Sequence, residues 1–222
     1  MTEFTSPIIN KPVDGSLLAW YKGSGSRRIG TVLADLSGNK NNGTITSGAW
    51  KNTPLGHNVL NFDGANTKVD LGSDIIGVTD ITLCAWIYPA GWGGNNTGRI
   101  FGITKCFLFV TTTNDRLNFT SDGGGSTIAS AVDSIVLNKW QFVVVTRTTT
   151  GATNFYINSV QSGVANSDSG TPVAGGNTLI GNHATLARAF DGKIDDMRIY
   201  NKIFTANEVM KLYQETRHFY GR

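Results

Sequence analysis

The chain has 222 residues, a formal charge of +3, 40% hydrophobic but only 16% charged residues, and 27 glycines. A composition so rich in turn formers and poor in charge excludes long solvated helices and fits one sizeable β domain or two small ones. The charge is small and scattered, with "GSRR" at 25–28 its densest basic spot, which argues against nucleic acid or an anionic membrane as partner.

The opening "MTEFTSPIINKPVDG" lacks the basic and apolar regions of a secretory signal, and residues 1–14 read as a lead-in to one domain over 15–222. Short alternating runs then follow one another: "LLAWY" (17–21), "VLNF" (59–62), "KVDLG" (68–72), "ITLCAWIY" (81–88) and "CFLFVT" (106–111) in the first half. "WQFVVVTR" (140–147), "TNFYIN" (153–158), "NTLIG" (177–181) and "KIDDMRIY" (193–200) continue the series. Separated by Gly, Asn, Asp and Ser clusters, they predict an all-β fold of two packed antiparallel sheets. No apolar stretch reaches the length of about 18 residues that a membrane span needs, so no membrane insertion is expected.

Between the first runs, "DLSGNKNNG" (35–43) offers oxygen side chains at Asp35, Ser37, Asn39, Asn41 and Asn42 around a turn at Gly38. Hard cations such as calcium take six to eight oxygens from loops of this kind, and a series of Asx turns without metal has the same composition. Trp20, Trp86 and Trp140 lie in apolar runs and read as core. Trp92 stands instead in the Gly-rich "PAGWGGNNTGR", where no alternation buries it. Sugar rings stack on aromatic faces while amides and guanidinium groups fix their hydroxyls, so Trp92, Asn95, Asn96 and Arg99 form a candidate ligand set. A loop tryptophan folded back onto the sandwich edge is the alternative. The loops "SDGGGS" (121–126) and "GNHATLARAF" (181–190) add Asp122, His183 and Arg188 to the same rim. Cys84 and Cys106, in two strand-like runs, read as two free, partly buried thiols, with a disulfide between them as the alternative.

In "KIDDMRIY" the adjacent Asp195 and Asp196 point to opposite faces of a regular strand and so cannot form one acid/base dyad. Asp195 shares the more apolar face and requires amide donors or a cation, which makes it a second candidate metal ligand; Asp196 is expected to face outward. The only glutamates, Glu3, Glu208 and Glu215, fall in the lead-in and near the C-terminus. No catalytic residue is assigned. "TANEVMKLYQ" predicts one helix, capped by Thr205 and Glu208 and packed by Val209, Leu212 and Tyr213 on the sandwich edge.

Taken in order, "VLADLSGNKNNGTI", "VLNFDGANTKVDLG", "DITLCAWIYP", "LNKWQFVVVTR", "NFYIN" and "FDGKIDDMRIYNKIFTANEVMKLY" resemble the laminin-G-like jelly roll of the concanavalin A-like lectin/glucanase superfamily, over about residues 15–215. The resemblance implies a sandwich that is usually non-catalytic, works outside cells, and binds glycans or proteins. It makes "IDD" part of the framework, and calcium-binding members make Asp35 and Asp195 worth testing as ligands. Ser159 stands where the family usually has Gly, in a turn that favours φ > 0. The expected function is a non-catalytic carbohydrate-binding or adhesion module for a glycan or glycoconjugate, extracellular or on a virion or cell surface. The alternatives are a decoration protein of a virion or surface assembly, and a glycoside hydrolase or lyase supported only by fold analogy.

Overall fold

The structure, a computed structural model, describes residues 15–25, 30–53, 55–121, 127–167 and 174–221. The lead-in expected over 1–14 lies outside them, as does most of the basic spot at 25–28. The chain opens with β1 (Leu17–Tyr21), β2 (Val32–Leu33), β3 (Gly43–Thr46), β4 (Ala49–Asn52), β5 (Asn58–Asp63) and β6 (Lys68–Asp70). The long β7 (Ile81–Gly91) is followed by β8 (Arg99–Gly102), β9 (Phe107–Thr111), β10 (Arg116–Thr120) and β11 (Thr127–Ala129). Then come β12 (Gln141–Arg147), β13 (Ala152–Ile157), β14 (Val160–Gln161), β15 (Asn166–Ser167), β16 (Leu179–Ile180) and β17 (Asp191–Tyr200). A helix, α1 (Ala206–Thr216), and a 3-10 turn (Arg217–Tyr220) complete the described chain.

All nine alternating runs lie on strands, and every pairing is antiparallel. One sheet has nine strands, ordered β14-β13-β12-β7-β17-β5-β4, with β1 beside β17 and β15 beside β13. The other has eight, ordered β11-β10-β9-β8-β16-β6-β3-β2. Leu83, Ala85, Ile87, Val143 and Val145 of the first sheet meet Ile100, Leu108, Val110, Leu117 and Phe119 of the second in one apolar core. The architecture is a sandwich of two antiparallel sheets, as the alternation predicts, in the jelly-roll form that the resemblance implies.

The two sheets differ in what covers their outer faces. On β7 and β12 the residues that alternate with the core, Cys84, Trp86, Phe142 and Val144, build a second apolar layer with Val209, Leu212 and Tyr220. Trp86 stacks between Tyr213 and Tyr220, at 5.7 and 4.3 Å between ring centroids, and its indole N–H donates to Thr216 Oγ1 at 2.9 Å. Both faces of these strands are buried, which is why "ITLCAWIY" and "WQFVVVTR" read as nearly continuous apolar runs. Trp20, Trp86 and Trp140 are buried as expected, but in this second layer rather than between the sheets.

The helix forms where its sequence predicts. Thr205 accepts from the Glu208 amide, and Glu208 Oε2 accepts from the Thr205 amide at 2.8 Å. It covers the face of the nine-stranded sheet rather than the sandwich edge, because the outward aromatics of that sheet offer it the larger apolar surface. Cys84 in the second layer and Cys106 in the core are both free and buried.

Between β13 and β14, Asn158 (φ 51°) and Ser159 (φ 70°) make a two-residue hairpin turn with both residues left-handed. An L side chain pays about 1–2 kcal/mol in that region, partly offset in glycine by its greater unfolded-state freedom. Ser159→Gly is therefore expected to stabilise the protein by about 0.5–1 kcal/mol in urea unfolding, and an unchanged or lowered midpoint would contradict the strain.

Candidate binding groove and the buried acid pair

Among the described residues no helix crosses the outer face of the eight-stranded sheet. There β9 and β10 turn Leu108, Val110, Leu117 and Phe119 inward and leave Phe107, Phe109, Arg116, Asn118 and Thr120 on the other side. Strand register sets these in cross-strand rows: Arg99, Phe109, Asn118 and Ala129 form one, and Phe107, Thr120 and Thr127 the next. The rows floor a groove of about 190 Å3, lined by Thr97, Arg99, Phe107, Phe109, Thr120, Thr127 and Arg188. Arg99 is also a wall of a second hollow of about 170 Å3, whose other walls include Lys68, Asp70, Asn177 and His183.

Arg99 is 9% exposed, and its guanidinium lies 3.6 Å from the centroid of Phe107. Burial, followed by the neighbouring charge of Arg188, lowers its pKa to about 10. The two arginines are locked together through the chain: the Arg99 amide donates to the Arg188 carbonyl at 3.0 Å, and Arg188 Nη1 donates to Thr97 Oγ1 at 2.6 Å. His183 pairs through Nδ1 with Thr185 Oγ1 at 2.8 Å, and its pKa is lowered by burial and then by Arg99 and Arg188.

Arg99 thus converges with His183 and Arg188 of a loop more than 80 residues away in sequence. Asn95 and Asn96 are exposed at the adjoining rim, where Asn95 Nδ2 donates to the Ala187 carbonyl at 3.3 Å and the Asn96 carbonyl accepts from Thr112. Trp92 follows the fold-back alternative: it is half-buried and packs on the main core, and the loop closes over it through Gly98 N to Trp92 O at 2.7 Å. Asp122 lies outside the described residues. Phe107, Phe109 and Arg116 were missed in sequence, although the alternation of "RLNFT" already places Arg116 and Asn118 opposite the core-facing Leu117 and Phe119.

The candidate metal ligands are held by protein donors. Asp35 Oδ1 accepts from the amides of Trp20 and Ser37, and its Oδ2 from Ser37 Oγ and the Asn41 amide, all within 3.0 Å. Asn39 and Asn41 direct their amide nitrogens at the carbonyls of Leu17 and Leu18, and Asn42 Oδ1 accepts from the Asp35 amide. The loop is a hydrogen-bonded clamp on β1, with both carboxylate oxygens of Asp35 engaged by protein donors. Asp195 belongs to a separate network, and no cluster of three or more His, Cys, Asp or Glu suited to a metal occurs among the described residues.

The two aspartates of β17 correct the regular-strand reading. Between Asp195 and Arg198 the strand carries a bulge opposite β7, with Asp196 in the left-handed region (φ 44°). A bulge breaks the two-residue repeat and re-aims side chains. Both acids are consequently buried, and both bond to the layer beneath the C-terminal segment. Asp195 accepts from the Gly23 amide at 2.7 Å and from the Tyr220 hydroxyl at 2.6 Å. Asp196 accepts from the Trp20 indole N–H at 2.6 Å and takes a bidentate pair from Arg198 at 2.9 and 3.1 Å. Burial, and then the charge of Asp196, pushes Asp195 up to about 6, whereas the guanidinium of Arg198 and the ammonium of Lys22 hold Asp196 below the usual carboxylate range despite its burial.

Comparison with known proteins sets this geometry in context. The family model Laminin_G_3, described as concanavalin A-like lectin/glucanases superfamily, matches residues 63–210. Among curated proteins, none matches the chain in sequence. Of solved structures, domain 4 of AbnA, a GH43 extracellular arabinanase from Geobacillus stearothermophilus solved with arabinotriose, is 20% identical with a TM-score of 0.70, over 90% of this chain and 98% of that one. The binding domain of Paraclostridial Mosquitocidal Protein 1 is 14% identical with a TM-score of 0.72, over 93% of this chain and 55% of that one. The receptor binding domain of botulinum neurotoxin mosaic serotype C/D is 15% identical with a TM-score of 0.68, over 93% and 54%. The chain spans about half the length of these toxin domains, and at such identities the likeness is one of fold.

A pH test isolates the acid pair. With its folded pKa raised, Asp195 keeps a proton that the unfolded chain releases between about pH 4 and 6, so its contribution to stability declines as pH rises through that window. Asp196, with its pKa depressed, acts oppositely and loses its contribution only on further acidification. Relative to the parent, Asp195→Asn is expected to gain up to about 2–3 kcal/mol between pH 4.5 and 7.5 in urea unfolding. Parallel pH profiles for the two proteins would contradict a raised Asp195.

Proposed function

The chain is a member of the concanavalin A-like lectin/glucanase superfamily, and on that premise we propose that it is a non-catalytic module that binds glycan along the outer face of its eight-stranded sheet. The observation that carries this reading is the groove itself. Its floor combines the rings of Phe107 and Phe109 with the hydroxyls of Thr97, Thr120 and Thr127 and the guanidinium groups of Arg99 and Arg188. Aromatic faces suit the C–H faces of sugar rings, and fixed hydroxyl and guanidinium groups suit their oxygens. Asn95 and Asn96 extend the set at the rim, in keeping with the loop residues singled out in sequence.

The non-catalytic part of the reading rests on where the acids are. Asp195 and Asp196 lie under the C-terminal segment with their oxygens taken by protein donors, and Glu208 caps a helix. Glycoside hydrolysis calls for two carboxyl groups flanking an accessible bond. Among the described residues no helix is long and apolar enough to cross a membrane. An extracellular setting suits a glycan-binding sheet, and the arabinanase relative is extracellular by name.

A surface-assembly role has one observation in its favour. Val132 and Val160, both more than half exposed, line a shallow depression with Ala131 and Ile157 beside the short edge strand β14.

Thr127 is exposed at the edge of the groove, so Thr127→Trp fills it without disturbing the core. In affinity electrophoresis through polysaccharide-loaded gels, the parent is expected to be retarded by at least one plant or bacterial polysaccharide, and Thr127→Trp to lose about tenfold or more of that affinity, with no reducing ends released by either. Undiminished retardation of Thr127→Trp would place binding elsewhere, and release of reducing ends by the parent would contradict a non-catalytic module.

A further inference from the structure

We propose that the ligand of this groove is anionic, an oligosaccharide bearing carboxylate or sulfate groups, with one acidic group seated against Arg99 and Arg188. The inference rests on the glycan-binding reading and names the chemical class of the ligand.

Its basis is a buried cation without a protein anion. Arg99 is more than nine-tenths buried, lies in the wall shared by the groove and the second hollow, and forms no side-chain hydrogen bond or ion pair with any described residue. Its one contact of note is the face of Phe107, a cation–π arrangement that offsets part of the cost of desolvation but leaves five N–H donors unused. A neighbouring Arg188 adds a second positive charge where Coulomb repulsion should drive them apart.

Among the described residues two other guanidinium groups are buried, and both are engaged by the chain: Arg147 Nη1 donates to the Thr148 carbonyl at 3.0 Å. Arg198 is matched to Asp196 by two parallel hydrogen bonds, the pairing that satisfies a structural arginine. Around Arg99 and Arg188 the described residues of the groove supply threonine hydroxyls and phenyl rings and, among them, no carboxylate. The second hollow holds one, Asp70, whose Oδ1 is engaged by the Gly72 amide and Asn177 Nδ2, and the same hollow also carries Lys68 and His183.

The adjoining row on β10 repeats the pattern. Arg116 Nε is a buried donor without a hydrogen-bond partner among the described residues, on the same sheet face as Thr120 of the groove, and the neighbouring Asn118 Oδ1 is an open acceptor that suits a sugar hydroxyl rather than the acid. A planar acidic group accepts a guanidinium fork bidentately, so a uronate carboxylate or a sulfate ester completes the donors that the fold leaves open.

The test is isothermal titration of the full chain with oligogalacturonate, its methyl ester, a heparin-derived oligosaccharide and neutral xylo- and arabino-oligosaccharides of matched length, at low and high salt. The methyl ester keeps the sugar backbone and removes its charge. Binding of oligogalacturonate or the heparin fragment, weakened at high salt and by about tenfold or more in Arg188→Gln, with the ester and neutral sugars bound at least tenfold less tightly, is the expected result. Preference between the two acids distinguishes carboxylate from sulfate. Arg188 is half-buried at the surface, so its variant remains informative if Arg99→Gln fails to fold. Tight binding of a neutral sugar that is lost in Thr127→Trp but unchanged in Arg188→Gln would overturn the anionic ligand and leave the glycan-binding reading intact. Binding of an acidic sugar that neither Arg188→Gln nor Thr127→Trp weakens would overturn the seat assigned to it, and failure of every saccharide to bind would remove both.

Discussion

The stacking of Trp86 between Tyr213 and Tyr220 decides how the two sheets of this sandwich divide their work. A sheet whose outward residues are Trp20, Trp86, Trp140 and Phe142 cannot face water without a large apolar cost, and the C-terminal helix and turn supply the cover. That sheet is thereby sealed on both faces. Among the described residues the eight-stranded sheet has no such cover, and its outward rows mix threonine, asparagine and arginine with two phenylalanines. The asymmetry between a sealed sheet and an open one gives the fold a single extended face on which a chain-like ligand could lie.

The bulge in β17 serves the sealed side. It falls where the strand changes neighbours on one edge, from β5 over Asp191–Ile194 to β1 over Met197–Tyr200. The extra residue puts Asp195 within reach of both the Gly23 amide and the Tyr220 hydroxyl, so one carboxyl ties the end of β1 to the last turn of the chain. Asp196 does the same for Trp20 through its indole N–H while neutralising Arg198. Asp35 also holds Trp20, through the backbone amide of that residue. These acids are framework chemistry, and their burial is compatible with stability because each has specific donors.

Much of the fold was legible in the sequence wherever one physical pattern acted alone. Period-two alternation located nine strands, and the Thr205 and Glu208 capping box located the helix to within a residue. The eight strands that escaped notice are short or carry polar residues on a solvent-facing side, as in "GTIT" and "RLNFT", so their apolar content is too low to stand out. Asp196 was misplaced because a bulge cannot be read from alternation: the residue count that fixes its face depends on the partner strand. For the site, Arg99, His183 and Arg188 were legible as loop cations, but their meeting with Phe107 and Phe109 depends on sheet order, which places β8 between β9 and β16. Trp92 looked exposed because the Gly-rich chain around it has no period; folding that loop back onto the core is a tertiary event.

The open face of the eight-stranded sheet is the point on which the functional reading stands. Amide hydrogen exchange of the full chain, with and without saturating oligogalacturonate, reports which surface a bound saccharide protects. Added protection in β8, β9 and β10 and in the 181–190 loop, with β7, β12 and α1 unchanged, is the expected outcome. Protection confined to α1 and the Arg217–Tyr220 turn would mean that the sealed side is the one that binds, and would contradict the division of labour between the sheets.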